Sequence, residues 1–390
     1  MTLFLLALLA LSPAEGLAQD FKEQTIDPDA GVGYALTIAD INADGKPDVV
    51  VVTEQPDQVL WYENPTWKRR TVVAGTPKLP VCVQAMDVDG DGKTELLLGA
   101  DWRPSDTKSG GSVWLLKRPD DLEKPWTPIR LDEEPTMHRF RAVTIDGKPE
   151  FACKTLHGRD AKPGEGAGAL LFLLKRPADP FTGAWTREVV QNELHITHNF
   201  WPADLDGDKT DEILLAGLEG IFILKRGADG KWAKTKIGDG DPIKKGGGEV
   251  KIGRLPGGRR YVATIEPWHG HSAAVYVESP KAPEPWVRKM LVENHKGGHA
   301  LWAADLTGTG VDSLVVGFRG VPEGKKEECV VYIFHPKDEA GKEWEKKVLD
   351  EKGLGCEDAI CADLDGDGKI DIVGVGRSTK NVKIYWNQRK

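Results

Sequence analysis

Short apolar runs rich in Val, Ile and Leu recur along the whole chain, broken by stretches of Gly, Pro and Asp. Runs this short and so bounded favour β-strands over helices. One polar–apolar pattern repeats among them: a Trp, four mostly polar residues, then an aliphatic residue. It stands at Trp67 (WKRRTV), Trp126 (WTPIRL), Trp185 (WTREVV), Trp232 (WAKTKI), Trp286 (WVRKML) and Trp344 (WEKKVL), and again as FKEQTI from Phe21. An apolar run precedes each internal copy: QVLWYENP, SVWLLKRP, LLFLLKRP, GIFILKR, AAVYVESP or VVYIFHP. The last such run, NVKIYWNQ, has no Trp strand after it.

The pattern closes on itself. Six four-strand units and a three-strand remainder need one more strand, and the orphan FKEQTI strand supplies it. A repeat of roughly 45–60 residues built from such units is the signature of a radial array. The reading is all-β: a seven-bladed β-propeller closed by an N-terminal strand that completes the last blade. Pairing first strand with last blade also removes the open edges of an unclosed ring.

Asp-rich loops follow the innermost strand of several blades. Blade one has Asp40, Asn42, Asp44 and Asp48; blade two has Asp87, Asp89, Asp91 and Glu95. Blade four has Asp204, Asp206, Asp208 and Glu212; blade seven has Asp363, Asp365, Asp367 and Asp371. Oxygen donors at alternate positions, a turn-forming Gly and a later carboxylate suit Ca²⁺. A solvated Asp-Gly turn is the plainer reading of any one loop, but four copies in one register favour calcium, in a structural role. Blade six weakens the set (Asp305, Thr307, Thr309, Ser313), and blades three (Thr144 to Glu150) and five (Arg254 to Arg260) lack it.

Stepping back six residues from the first loop acid gives Tyr34, Val81, His138, His198, Gly248, His299 and Glu357, one per blade. A second set follows the second strand: Glu54, Asp101 to Arg103, His157 to Arg159, Glu266 to His271, Arg319 and Arg377. Successive strands run antiparallel, so both sets converge on one mouth of the channel, opposite the acidic loops. Neutral imidazole is a common ligand for Zn²⁺, Mn²⁺ or Fe²⁺, and its pKa suits proton transfer. His138, His198 and His299 are the candidate channel-metal ligands. His157, His269 and His271 are the candidate acids and bases, with Arg319 as a clamp. Trp102, Trp201, Trp268 and Trp302 either pack between blades or stack on sugar rings.

Composition narrows the partners. A net charge of −9 over 390 residues argues against nucleic acid. Residues 1–18, MTLFLLALLALSPAEGLA, read as a signal peptide cut before Gln19, which leaves 19–390 as one exported propeller, periplasmic or extracellular. The run is too short to span a bilayer and no later segment is apolar enough. Five cysteines without CxxC spacing point to buried thiols rather than a disulfide framework.

The acidic loops resemble the calcium loop of FG-GAP/VCBS repeats, propeller repeats also found in integrin α subunits. The segments TIEPWHGHSAAVYV (264–277) and GGHALWAADLTGTGVDSLVVGFRG (297–320) resemble the propeller domain of aldos-2-ulose dehydratase and its bacterial relatives. That resemblance implies elimination of water from a keto-sugar. Fungal members of the family continue into cupin domains, so it implies nothing of steps those domains carry. A non-catalytic propeller that binds a glycan or a protein on the same face is the alternative.

Overall fold

The computed structural model describes residues 21–268, 270–280, 285–320 and 328–389. The signal-peptide segment and His269 lie outside them. Among the described residues, twenty-eight strands, β1 (Phe21–Asp27) to β28 (Val382–Asn387) in chain order, form seven four-stranded antiparallel sheets. The innermost strands are β2 (Val32–Ala39), β6 (Cys82–Met86), β10 (Met137–Ile145), β14 (Asn199–Ala203), β18 (Glu249–Arg254), β22 (Gly298–Ala304) and β26 (Cys356–Ala362). Each packs against the innermost strand of the next blade, and β26 returns to β2. The chain is therefore a seven-bladed β-propeller.

The last sheet runs β1-β28-β27-β26, with β27 spanning Asp371–Gly376, so the first strand is the outer strand of the last blade. Its ladder pairs Phe21 with Asn387 and Lys22 with Trp386, and Trp386 Nε1 donates to Gln24 Oε1 at 2.8 Å. Two buried acids tie this blade to its neighbours. Asp27 at the end of β1 accepts from the Tyr62 hydroxyl of blade one at 2.7 Å and from Arg69 at 3.1 Å. Asp350, on the outer strand of blade six, accepts from Tyr385 Oη at 2.6 Å and Lys383 Nζ at 2.9 Å on β28. The seam leaves no room at Gly33, where an added Cβ would lie 2.3 Å from Val375 Cγ2 and 2.9 Å from Gly376 O.

The core lies between the blades. The second and third strands are buried almost throughout, as in Asp48–Glu54 and Glu95–Ala100, while the outer strands alternate with solvent. All five cysteines are free thiols; burial pushes Cys82 up to about 12. No helix among the described residues is long and apolar enough to cross a membrane.

Candidate functional site

The seven register positions meet at one end of the channel. In β2, β10, β22 and β26 the ladder slips at Tyr34, His138, His299 and Glu357, each a β-bulge. In the other blades Val81, His198 and Gly248 sit just ahead of the first paired residue. A bulge re-aims one side chain without ending the strand, and here it turns side chains toward the axis. The His138 and His198 rings lie 4.7 Å apart between centroids, and those of His198 and His299 5.1 Å apart. Trp102 stacks on His138 at 4.5 Å, and Trp268 turns toward both His157 and His198. None of the three central histidines is more than 3% exposed.

His198, His299 and Glu249 each offer a ligand atom, and these atoms lie within 4.8 Å of one another. His198 Nδ1 is 2.9 Å from Glu249 Oε1, an oxygen that makes no hydrogen bond. His299 Nδ1 donates to the Glu357 carbonyl at 2.5 Å. That bond places the proton on Nδ1 and leaves the Nε2 lone pair for a metal, the outer-sphere arrangement usual for ligating histidines. Two imidazoles and a carboxylate suit Zn²⁺, Mn²⁺ or Fe²⁺, so these residues fit the expected ion. Burial, with Arg139 second, holds His198 well below its ordinary pKa and neutral.

His138 carries the opposite tautomer. Arg139 Nη1 lies 3.4 Å from His138 Nδ1 and 3.1 Å from its carbonyl. A guanidinium only donates, so Nδ1 accepts and the proton sits on Nε2, a buried atom with no hydrogen-bond partner. His138 is thus brought beside the pair as a donor, and Glu249 takes the third ligand place. Burial also lowers His157, with Lys154 adding to the effect. Arg319 donates from Nη1 to both Glu357 oxygens, at 2.9 and 2.8 Å, and Arg377 approaches the same carboxylate at 3.5 Å. His271 lines a separate cavity of about 300 Å³ behind Trp268, with Lys244 and Lys245.

Sequence reasoning missed the residue after the register position. Arg139, Asn199, Glu249 and Asp358 fill it in blades three, four, five and seven, and Asn199 Nδ2 donates to Glu249 Oε2. Four polar residues in one column of an otherwise apolar strand were the available signal.

On the opposite face, each of three loops gathers its own donors: Asp87, Asp89 and Glu95; Asp204, Asp206 and Glu212; Asp363, Asp365 and Asp371. The first acid holds each turn, as where Asp87 accepts from Gly90 N (2.7 Å) and Gly92 N (3.0 Å), both glycines at positive φ. In blade one, Asp40 and Asn42 accept from loop amides, while Asp48 accepts from Ile41 N and Asn64 N. The third acids lean on lysines: Asp44 alone does not, whereas Asp91 meets Lys93 at 3.5 Å and Asp367 meets Lys369 at 2.9 Å. Blade four differs. Lys225 Nζ reaches Glu212 at 2.7 Å, Asp208 at 3.8 Å and Asp206 more closely still, placing an ammonium among the donors. Burial pushes the closing acids Asp48 and Asp371 to about 6 and Glu95 to about 7.

Residues 110–279 match the profile of the aldos-2-ulose dehydratase β-propeller domain. Residues 24–98 match an FG-GAP-like repeat and residues 83–116 an FG-GAP repeat. The 264–277 segment falls inside the first match; the 297–320 segment falls beyond it. The chain is 23% identical over 351 residues to the aldos-2-ulose dehydratase of Phanerodontia chrysosporium, covering 83% of this chain and 38% of that one. It thus spans well under half the length of that relative. Among solved structures it is similar to BBS1N in complex with ARL6DN (TM-score 0.56, 12% identity, 95% of this chain and 97% of that one). It is also similar to rhamnogalacturonan lyase YesW (TM-score 0.50, 14% identity, 95% of this chain and 76% of that one). At these identities both likenesses concern the fold.

Proposed function

We propose that this propeller is a carbohydrate dehydratase that eliminates water from a keto-sugar at the histidine mouth of its channel. The observation that carries the reading is the buried convergence of His198, Glu249 and His299, with neutral His157 meeting the same Trp268 ring as His198. The partial match to the dehydratase propeller adds the substrate class.

A divalent ion held by His198, His299 and Glu249 would supply Lewis acidity toward a ketone oxygen. The chain's own groups do the rest. His157, kept neutral by burial, takes the proton α to the carbonyl. The same imidazolium then hands that proton to the β-hydroxyl, so that water leaves, a C=C bond forms and the base is restored. Trp268, 38% exposed, offers an aromatic face at the entrance for the sugar ring. That exposed face is also what favours the second reading, a propeller that holds a glycan without altering it.

The acidic loops are read as structural Ca²⁺ sites, and the apolar first eighteen residues as an export signal. The test is a panel of keto-sugars and uronic-acid polymers with Zn²⁺, Mn²⁺ or Fe²⁺ supplied. Ultraviolet absorbance of an unsaturated ketone is expected, and is lost in His198→Ala and His299→Ala. No absorbance with any substrate sinks catalysis. Metal analysis showing calcium alone, with glycan binding intact, selects the second reading.

A further inference from the structure

Below the histidine layer the channel wall carries four cations: Arg139, Arg141, Lys154 and Lys251. Arg139 is 4% exposed, Lys154 0% and Lys251 2%. Among the described residues none of them has a carboxylate within ion-pair distance, 4.0 Å. Arg139 bonds only to His138; Lys154 Nζ donates to Thr155 O and Thr197 Oγ1. Arg141 gives one hydrogen bond, to the Phe140 carbonyl, and its buried Nε has no partner. Lys251 Nζ donates to Val250 O and lies 4.3 Å from the Trp201 ring.

The nearby carboxylates lie beyond ion-pair distance of these cations, although the charge of Asp358 acts on Arg141 and Arg139. Asp358 accepts from Leu36 N at 3.2 Å and Ala359 N at 3.0 Å. Glu357 is held by Arg319 and Arg377, and the Oε2 of Glu249 by Asn199. A lysine can shed its proton when buried, but an arginine cannot. A buried guanidinium without an acid at ion-pair distance is costly to maintain, and Arg139 has as its ladder partner a second buried cation, Lys154.

We infer that this part of the channel is an oxyanion subsite, centred on the Arg139 guanidinium, and that the channel ligand carries a carboxylate or an equivalent oxyanion. A forked guanidinium suits a group with several acceptor oxygens better than a neutral hydroxyl. The inference rests on the channel mouth being a ligand site and not on any reaction there. It narrows the ligand class from keto-sugars in general to sugar acids, or to a free anion bound beside the sugar.

Calorimetric titration of the full chain with glucuronate, sodium phosphate and glucose, at one ionic strength, tests it. Glucuronate is expected to bind at least tenfold more tightly than glucose. Arg139→Gln removes that preference, and Arg139→Lys retains part of it. Glucuronate binding more tightly than phosphate assigns the anion to the sugar; phosphate binding as tightly assigns a free oxyanion. Anions that bind no better than glucose, or bind Arg139→Gln as well as wild type, overturn the inference. Should Arg139→Gln not fold, the wild-type thermal midpoint decides: it must rise saturably with phosphate or glucuronate, and a flat response overturns the subsite. In His198→Ala/His299→Ala the anion preference persists while turnover is lost, so failure of the subsite and failure of the dehydration reading are separable.

Discussion

Truncating Asp350 tests how the ring is held shut. Its side chain is 3% exposed and accepts four hydrogen bonds, from Tyr385 Oη, Lys383 Nζ, Gly353 N and Leu354 N. Asp350→Ala leaves the buried Tyr385 hydroxyl and the Leu354 amide without their acceptor, each worth about 1–3 kcal/mol. Lys383 keeps Glu23 at 2.7 Å, so the ammonium is not stranded. The expected cost is about 2–6 kcal/mol, set by the two stranded groups.

Tyr385→Phe removes one donor from a carboxylate that keeps three others, and should cost only about 1 kcal/mol. In Asp350→Ala/Tyr385→Phe no hydroxyl is stranded, so the double variant should cost about 1–2 kcal/mol less than the sum of the singles. Urea denaturation of purified protein, followed by Trp fluorescence, reads all three. Additive costs, or an Asp350→Ala no worse than Tyr385→Phe, would refute the reasoning. The pH dependence adds a check. Burial alone raises the Asp350 pKa, but Tyr385 and Lys383 outweigh it and hold the carboxyl below its ordinary value. A depressed acid stabilises above its unfolded pKa, about 3.9, and that stability is lost as pH falls through the folded value. The gap between wild type and Asp350→Ala should therefore narrow in strong acid.

Other outcomes follow from single contacts. Lys225→Met should raise calcium stoichiometry or affinity by freeing the blade-four donors; isothermal titration giving unchanged binding would exclude the ammonium as a competitor. EDTA should lower the thermal midpoint, and an unchanged midpoint removes calcium from the loops. His335, held below its ordinary pKa by burial and 3.0 Å from Ser313 Oγ, takes up a proton on unfolding. Its share of stability is complete above about 6.5 and declines as pH falls below that, a slope that His335→Gln should reduce in denaturation at pH 5 to 7. Gly33→Ala forces the blade-one/blade-seven seam apart, costing about 1–3 kcal/mol by the same assay.

The fold was legible because propeller blades repeat their burial: the Trp strand, the apolar third strand and the acidic loop all mark phase. Counting back from the loop acid found His138, His198 and His299 because a bulge or a strand start keeps that position in register. The roles of those histidines were not legible. They depend on which nitrogen a neighbour engages, Arg139 at His138 and the Glu357 carbonyl at His299, and a periodicity argument carries no such information. Glu249 was hidden for another reason. Blade five has lost its acidic loop, so the register there pointed at Gly248, one residue short of the side chain that reaches the site.

The first strand also sets a schedule. Gln24 and Trp386 are bonded although 362 residues separate them. At ~5–20 residues per second of synthesis, β1 waits on the order of 20–70 s for its partner. Six blades are contiguous segments and can form in the order they emerge; the seventh cannot exist until β28 has been made. A nascent chain thus holds an open ring until β28 emerges, and loss of that strand leaves the product without its lock.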